Sequence, residues 1–363
     1  MRLLIVQGGF GSGGAEKIVA MLAAHRAALG DEVHVAGADC PPGGSFFDYP
    51  DSVTLHVQDT KGRGPVQLRR LRHIRALVKT LKPDVVVSFL TKVNVLTLVA
   101  TFGTGAPVII SERNNPGAQG GSRFWTTLQS RLGARARAVV FQTEAVLADA
   151  APGMRAKGVV IANPCEPLAD APHGDLAQKR LIAVGRLTHQ KGFDTLIAAM
   201  PAVLREHPDA RLSIFGEGPD RGALEAQVTA LGVGNAVALP GNTDRPGAWI
   251  TEGDLLIAPS RYEGFPNVVA EAAISALPVV ATDCDYGPRE IIRDGVNGRL
   301  VPVDDANALA KAVAALLSAP DSLPDLAAED ARLKAQLDPA AILCTWDVQI
   351  DGAAVTASAR ALA

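Results

Sequence analysis

The stretch LIAVGRLTHQKGFDTLIAAMPAVLREHPDARLSIFGEG, residues 181–218, decides the fold. It opens on the apolar run LIAVGRL, crosses a polar turn at Gln190-Lys191-Gly192, and keeps helical spacing from Phe193 to Arg205. A second strand candidate, RLSIFGEG, follows at once. Strand, helix and strand in succession imply two parallel strands joined by a right-handed crossover. The same alternation runs through the chain. Before this stretch stand LLIVQ, EVHVAGA, VTLHV, DVVVSF, PVIISE and AVVFQT; after it come AVALPG, DLLIAPS, PVVATDC and GRLVPV. Continuous apolar runs such as Val85–Val87 and Val279–Val280 suit strands covered on both faces. Helices are expected over Ala15–Leu29, Phe193–Arg205, Ala223–Leu231 and Asn307–Leu317.

With 363 residues, 48% hydrophobic and 20% charged, the chain can fill two α/β cores. The stretch Ala162–Gln178 is rich in Pro, Ala and Asp and has no period, so it reads as a linker. The expected organisation is a Rossmann-like domain over 1–165, a linker over 166–178 and a second Rossmann-like domain over 179–340. A helical segment, 341–363, then crosses back to the first domain. Two doubly wound parallel sheets facing each other across a cleft follow from that division.

No apolar run reaches the roughly 18 residues a bilayer span needs, and MRLLIVQGGFG is too short for a signal-peptide core. A cytoplasmic location is expected. Cys40, Cys165, Cys284 and Cys344 lie far apart, which fits neither a zinc site nor a disulfide framework. Charge is unevenly spread. Residues 1–168 hold 19 Lys and Arg against 12 Asp and Glu, while the remainder hold 16 against 26. The basic half points to an anionic partner such as a phosphorylated acceptor or a membrane, or else to solubility patterning. No nucleic-acid partner is expected.

Lys61–Lys82 carries eight cations and no acid, with Leu68, Leu71, Ile74, Leu77 and Leu81 at helical spacing. Edged by Arg69, Arg70, Arg72, Arg75 and Lys79, that stripe suits either an anionic membrane surface or packing on the sheet. Arg123–Arg137 sets Phe124 and Trp125 among further arginines and carries the same two readings.

Several loops carry chemistry. Gly9, Gly11 and Gly14 in GGFGSGG satisfy G-x-G-x-x-G, a weak dinucleotide fingerprint. An NAD-dependent oxidoreductase is therefore a rival reading. Against it, Asp39 comes only after a loop beyond EVHVAGA, and no hydride-transfer constellation appears. At the end of LIAVGRL, Arg186 and Lys191 stand five residues apart, where a guanidinium and an ammonium suit a diphosphate. In SRYEGFPNVVAE, residues 260–271, Glu263 sits on a loop and Glu271 about one turn into a helix starting near Asn267. The N–H groups of Phe265, Asn267 and Val268 are expected as anion donors. Glu271 can accept from a ribose diol and Glu263 from sugar hydroxyls; both are also acids that a helix start favours. Asp283-Cys284-Asp285 matches a metal-binding D-x-D, but two cations already serve the diphosphate, so no metal is expected.

Taken together, GGAEK at 13–17, VGRLTHQKG at 184–192, FGEGP at 215–219, LPGN at 239–242, EGFPNVVAE at 263–271 and CDYGPREIIRDGVNGRLVP at 284–302 resemble the retaining GT-B glycosyltransferases of family 4. That family includes bacterial polysaccharide and lipid-linked-oligosaccharide enzymes. The resemblance runs from the first strand to about residue 318. It implies a nucleotide-sugar donor, no cofactor and no metal. Arg186 and Lys191 would hold the donor diphosphate, Glu271 the ribose and Glu263 the sugar. Gly13 and Gly14 would approach the sugar-phosphate. Loops with Glu217 and Asn242 would frame the base, and Gly264, Phe265, Pro266, Asn267 and Val268 would line the donor site. The variants GFPN and DYGPREI look most like members using UDP-hexoses or UDP-N-acetylhexosamines; a GDP-mannose-dependent mannosyltransferase is the alternative. The acceptor implied is a glycan or a polyprenyl- or lipid-linked sugar, reached at the inner face of the membrane. Two positions depart from the family. Where many relatives have a His after the fifth strand, this chain has Glu112 and Arg113, and Ala276 replaces a helix-closing glycine.

Overall fold

The computed structural model describes all residues except 12, 59–64, 114–122, 169–175, 177, 244, 246, 320–321, 323–325 and 362–363. Two compact units result, Met1–Pro164 with Ala340–Ala363, and Cys165–Pro339.

The first unit holds a seven-stranded sheet of β1 (Arg2–Val6), β2 (Glu32–Ala38), β3 (Val53–Gln58), β4 (Val85–Phe89), β5 (Val108–Ser111), β6 (Ala138–Phe141) and β7 (Gly158–Val160). All pairings are parallel, in the order β3-β2-β1-β4-β5-β6-β7. The reversal at β1 and β4 is the doubly wound topology that the strand–helix alternation requires. Residues of β1 and β4 are buried at almost every position, as continuous apolar runs demand. Strand β7, Gly-Val-Val, has no counterpart in the sequence reading, because three residues are too few to set a period. Helices α1 (Gly14–Ala28), α2 (Val66–Leu81), α3 (Thr91–Ala100) and α4 (Arg123–Leu132) make four of the crossovers.

The C-terminal helix, Pro339–Ala361, completes this unit's core. Its Trp346 is fully buried, with its ring centroid 5.6 Å from that of Phe89 at the end of β4. Arg26 of α1 fastens the same helix, donating to Asp347 and Asp351 as well as to Asp31. A buried guanidinium is tolerated here because three carboxylates share it.

The second unit holds a six-stranded parallel sheet of β8 (Arg180–Val184), β9 (Arg211–Phe215), β10 (Val237–Gly241), β11 (Leu255–Ala258), β12 (Val279–Thr282) and β13 (Gly298–Val301). Its order is β10-β9-β8-β11-β12-β13, with the reversal at β8 and β11. The helix Phe193–Glu206 presents Leu196, Ile197, Met200 and Val203 to the core, at the 3.6-residue spacing read from the sequence. Described residues of the 166–178 stretch pack on this unit: Leu168 N–H donates to Ser275 Oγ, and Leu176 lies in the core.

Candidate functional site

In an open parallel sheet, ligands bind beyond the carboxyl ends of the strands, near the reversal of strand order. In the second unit this point lies between β8 and β11. The segment after β8 delivers Gly185, Arg186 and Lys191; the segment after β11 delivers Ser260 to Glu263.

The two segments meet in one ion pair. Lys191 Nζ lies 2.6 Å from Glu263 Oε1, and Ser260 Oγ donates to the same oxygen at 2.6 Å. The Glu263 side chain is only 9% exposed and that of Lys191 21%. Backbone contacts fix the register: Arg261 N–H donates to Gln190 O, and Gln190 Nε2 donates to Tyr262 O. Arg261 adds bonds to His189 O and Asp194 and an ion pair with Asp304, holding the Asp194 carboxyl below its usual range. Gly192 makes this approach possible. It sits at φ +63°, and a Cβ there would come within 2.1 Å of Pro259 O. Beneath the pair lies a cavity of about 20 Å³, bounded by Val184, Lys191, Ser260, Glu263, Pro266 and Val268. It has room for about one water. Cys284 lies close by, its thiol pushed up to about 12 by burial and by the charge of Glu263.

Arg186 is exposed, and among the described residues its guanidinium has no hydrogen-bond or ion-pair partner. An exposed cation beside a paired one leaves net positive charge at the end of β8. The expected base-framing loops are brought together. Gly216 N–H donates to Gly241 O, and a Cβ on Gly216 would lie 2.0 Å from Gly185 O, so the FGEGP loop rests directly on the end of β8. Glu217 is exposed and held by Arg221 through two bonds, while Asn242 is exposed beside Gly241.

The GFPN loop is placed by its neighbour, since a Cβ on Gly287 would lie 2.3 Å from Pro266 Cδ. Phe265 and Pro266 are buried, whereas Gly264, Asn267, Val268 and Glu271 are partly exposed. The helix here, Asn267–Ala273, is only seven residues long. Its first N–H is not available as expected: Asn267 N–H donates to Phe265 O. The N–H groups of Phe265 and Val268 make no hydrogen bond among the described residues. So short a helix, with one donor already used, shifts the burden of any anion onto Arg186 and Lys191. Asp283 of the D-x-D is claimed by Arg289.

In the first unit the expected residues take the following places. Glu112 and Arg113 are buried, and their described partners belong to the fold. Glu112 accepts from Thr91 Oγ1, Gln129 Nε2 and Arg113 N–H. Arg113 donates to Ser111 Oγ and Asn163 Oδ1, and lies over the Phe89 and Trp346 rings. Burial holds its pKa down at about 9, against the help of Glu112. This pair braces β5 against the C-terminal helix. On α2, Ile74 and Val78 are buried, Arg70 donates to Gly8 O, and Arg75 donates to Ala100 O and Phe102 O. Of the stripe, Ile74 is buried, Leu71, Leu77 and Leu81 are half-buried and Leu68 is exposed; two of the four arginines are anchored to backbone, Arg72 is exposed and Arg69 partly so.

At the glycine turn, Glu16 folds back over Gly13, where a Cβ would meet its Oε2 at 2.2 Å. Gly14 opens α1. Gly9 packs against the end of β2, and Phe10 is buried in the core, so the turn has a packing reason of its own. Asp39 follows β2 directly, without the intervening loop that the sequence suggested.

The Lys191–Glu263 pair escaped the sequence reading. Its members are 72 residues apart, and only the pairing of β8 with β11 brings them together. Ser260 and Arg261 were visible in the motif, but without a role.

Comparison with known proteins agrees with both sheets. Residues 178–319 match the family described as glycosyl transferases group 1, and residues 13–164 match the glycosyl transferase 4-like domain. An exopolysaccharide phosphotransferase of Streptomyces coelicolor is 37% identical over 147 residues, which are 40% of this chain and 16% of that protein. A lipopolysaccharide core biosynthesis glycosyltransferase of Rhizobium meliloti is 33% identical over 133 residues, 37% of this chain and 38% of the relative. The chain spans between 16% and 46% of the length of the curated relatives it matches. Among solved structures, the Anabaena protein HepE with UDP and glucose superposes at TM-score 0.80 with 20% identity, over 97% of this chain and 100% of that one.

Proposed function

This chain belongs to the GT-B glycosyltransferases of the family 4 type, and on that premise we propose that it moves a hexose or N-acetylhexosamine from a UDP-sugar to a glycan or lipid-linked acceptor. Assembly of a cell-surface polysaccharide or glycoconjugate is the setting that its polysaccharide and lipopolysaccharide relatives support. The observation that carries the reading is the Lys191–Glu263 contact at the carboxyl ends of β8 and β11, with Arg186 exposed on the same segment after β8 as Lys191. Two cations and a carboxylate at the ends of adjacent strands suit a diphosphate joined to a sugar.

In this account Arg186 and Lys191 neutralise the diphosphate as charge builds on it, the effect that usually dominates catalysis of group transfer. Glu263 accepts from hydroxyls of the donor sugar and stabilises positive charge at the anomeric carbon. Glu271 accepts from the ribose, and Glu217, Gly241 and Asn242 frame the base. The bond from the anomeric carbon to the leaving phosphate oxygen breaks while the acceptor oxygen bonds on the same face. The acceptor's proton passes to that leaving oxygen, so configuration is retained with no enzyme nucleophile. The two cations perform the neutralisation, so the scheme has no metal step.

The test is donor hydrolysis by the purified chain over UDP-, GDP- and ADP-sugars, with the anomeric configuration of the released sugar followed by NMR. The reading expects UDP-hexose or UDP-N-acetylhexosamine turnover with retention. Turnover of GDP-mannose alone would replace the donor, and inversion would remove the same-face step.

A further inference from the structure

Arg221 opens the helix Arg221–Ala230, a poor place for a cation. The positive end of the helix dipole lies there, the first turn holds no acid, and Asp220 at the N-cap makes no side-chain capping bond. The ion pair with Glu225 runs Arg to Glu at i,i+4, the less favourable order along a helix. Helix stability therefore does not explain the residue. Its other bonds all leave the helix. Nε and Nη2 fork onto the Glu217 carboxylate at 2.8 and 2.7 Å, Nη2 donates to Gly216 O at 3.3 Å, and Nη1 donates to Leu239 O at 3.1 Å. One guanidinium thus fastens the FGEGP loop to β10. A rigid fork of five donors suits that span, where an ammonium on a flexible stem does not.

The same loop is bonded to the segment that carries Arg186. Gly185 N–H donates to Phe215 O and Leu187 N–H to Glu217 O, both at 3.0 Å, and Asp220 N–H returns to Leu187 O at 3.1 Å. A Cβ on Gly218 would lie 2.2 Å from Leu187 O, so only glycine lets the loop approach this closely. Residues on both sides of Arg186 are thereby tied to the loop, and Gly216 N–H ties the loop to Gly241 O. Arg221 is not itself a cation for the phosphates. Glu217 and Glu225 match its charge, and the fork holds the Glu217 carboxyl below its usual range.

Building on the nucleotide-sugar reading, we propose that Arg221 is the positioning residue of the nucleoside end of the donor site, setting Glu217, Gly241 and Asn242 at a fixed reach from Arg186. Arg186 meets a diphosphate whether or not a base is attached to it. The block held by Arg221 matters only when one is. Base-free and base-bearing ligands therefore separate this role from plain support of the fold.

Calorimetric titration of the full chain with pyrophosphate, UDP, GDP and ADP tests this. The wild type should bind one nucleotide more tightly than pyrophosphate. Arg221→Ala should weaken that nucleotide by about tenfold, the scale of a lost charge-assisted hydrogen bond, and leave pyrophosphate unchanged. Arg221→Lys keeps the charge without the fork and should fall between. Arg186→Ala should weaken both ligands, whereas Glu225→Ala, which removes only the bond along the helix, should bind as the wild type does. Thermal melts check that each variant is folded, and Arg221→Lys carries the comparison if Arg221→Ala does not fold. Parallel loss of pyrophosphate and nucleotide in the Arg221 variants, or nucleotide affinity equal to the wild type's, would overturn the assignment. Loss confined to GDP or ADP would change the donor and leave Arg221 its role. Pyrophosphate bound as tightly as every nucleotide would remove the nucleoside subsite itself.

Discussion

Lys191 Nζ and Glu263 Oε1 stand 2.6 Å apart, joining the segment after β8 to the segment after β11 across the reversal point of the second sheet. The carboxylate is almost fully covered, and Ser260 donates to the same oxygen. Removing the ammonium strands a desolvated charge, whereas Glu263→Gln keeps the shape and removes the charge. Lys191→Ala should therefore lower unfolding free energy by about 1–3 kcal/mol in denaturant titrations. It should also lower turnover by about a hundredfold or more. Glu263→Gln should lower turnover comparably with a smaller stability loss; wild-type turnover in that variant would remove Glu263 from the mechanism.

Arg26 and Asp347 give the second prediction. Arg26 is 3% exposed and shared among Asp31, Asp347 and Asp351, so Arg26→Ala leaves three carboxylates facing each other. A loss of about 3–5 kcal/mol is expected, with the C-terminal helix the first segment to gain hydrogen exchange. A change under about 1 kcal/mol, the scale of an ordinary exposed pair, would show that the helix is held by its buried apolar face, Ile342, Trp346, Ile350 and Ala353, and not by Arg26.

How much of this was legible in the sequence follows from what each feature depends on. Apolar period and turn residues are local, so the helix Phe193–Glu206 was placed within a residue, and twelve of the thirteen strands were recognised. The short edge strand β7 has no period to detect. Motif residues at the ends of β8 and β11 were identified, but their mutual contact depends on strand order. The arginines of α2 show the opposite failure. Spacing revealed an amphipathic helix, but only packing could tell that Ile74 and Val78 are buried, that Leu68 is left exposed, and that Arg70 and Arg75 bond to backbone.

Histidines 56 and 73 predict a pH dependence. Burial holds both below the ordinary imidazole value, and His34 and His73 depress His56 further. The unfolded chain then binds protons more readily than the folded one. Stability should be steady above about pH 6.5 and fall as pH drops from there toward the lower folded values. Thermal melts between neutral and mildly acid pH check this, and His56→Gln should flatten the slope. An unchanged slope would place the acid sensitivity elsewhere.

Ala276 adopts φ +56°, in the left-handed region that favours glycine. It closes the helix Asn267–Ala273 with Ala276 N–H on Ala273 O and Leu277 N–H on Ala272 O. An L-residue loses about 1–2 kcal/mol in that region, partly offset by the freedom glycine restores to the unfolded chain. Ala276→Gly should raise stability by about 0.5–1 kcal/mol and leave donor binding unchanged. A lowered melting temperature would contradict the strain.

The central claim is that Arg186 and the Lys191–Glu263 pair form the diphosphate end of a UDP-sugar site. Calorimetric titration of the wild type and of Arg186→Ala with UDP, and separately with NAD, tests it most directly. The account predicts that UDP binds, that NAD does not, and that Arg186→Ala weakens UDP by about tenfold or more, in line with loss of a charge-assisted hydrogen bond. UDP binding of equal strength in the two proteins, or binding of NAD in its place, would contradict it.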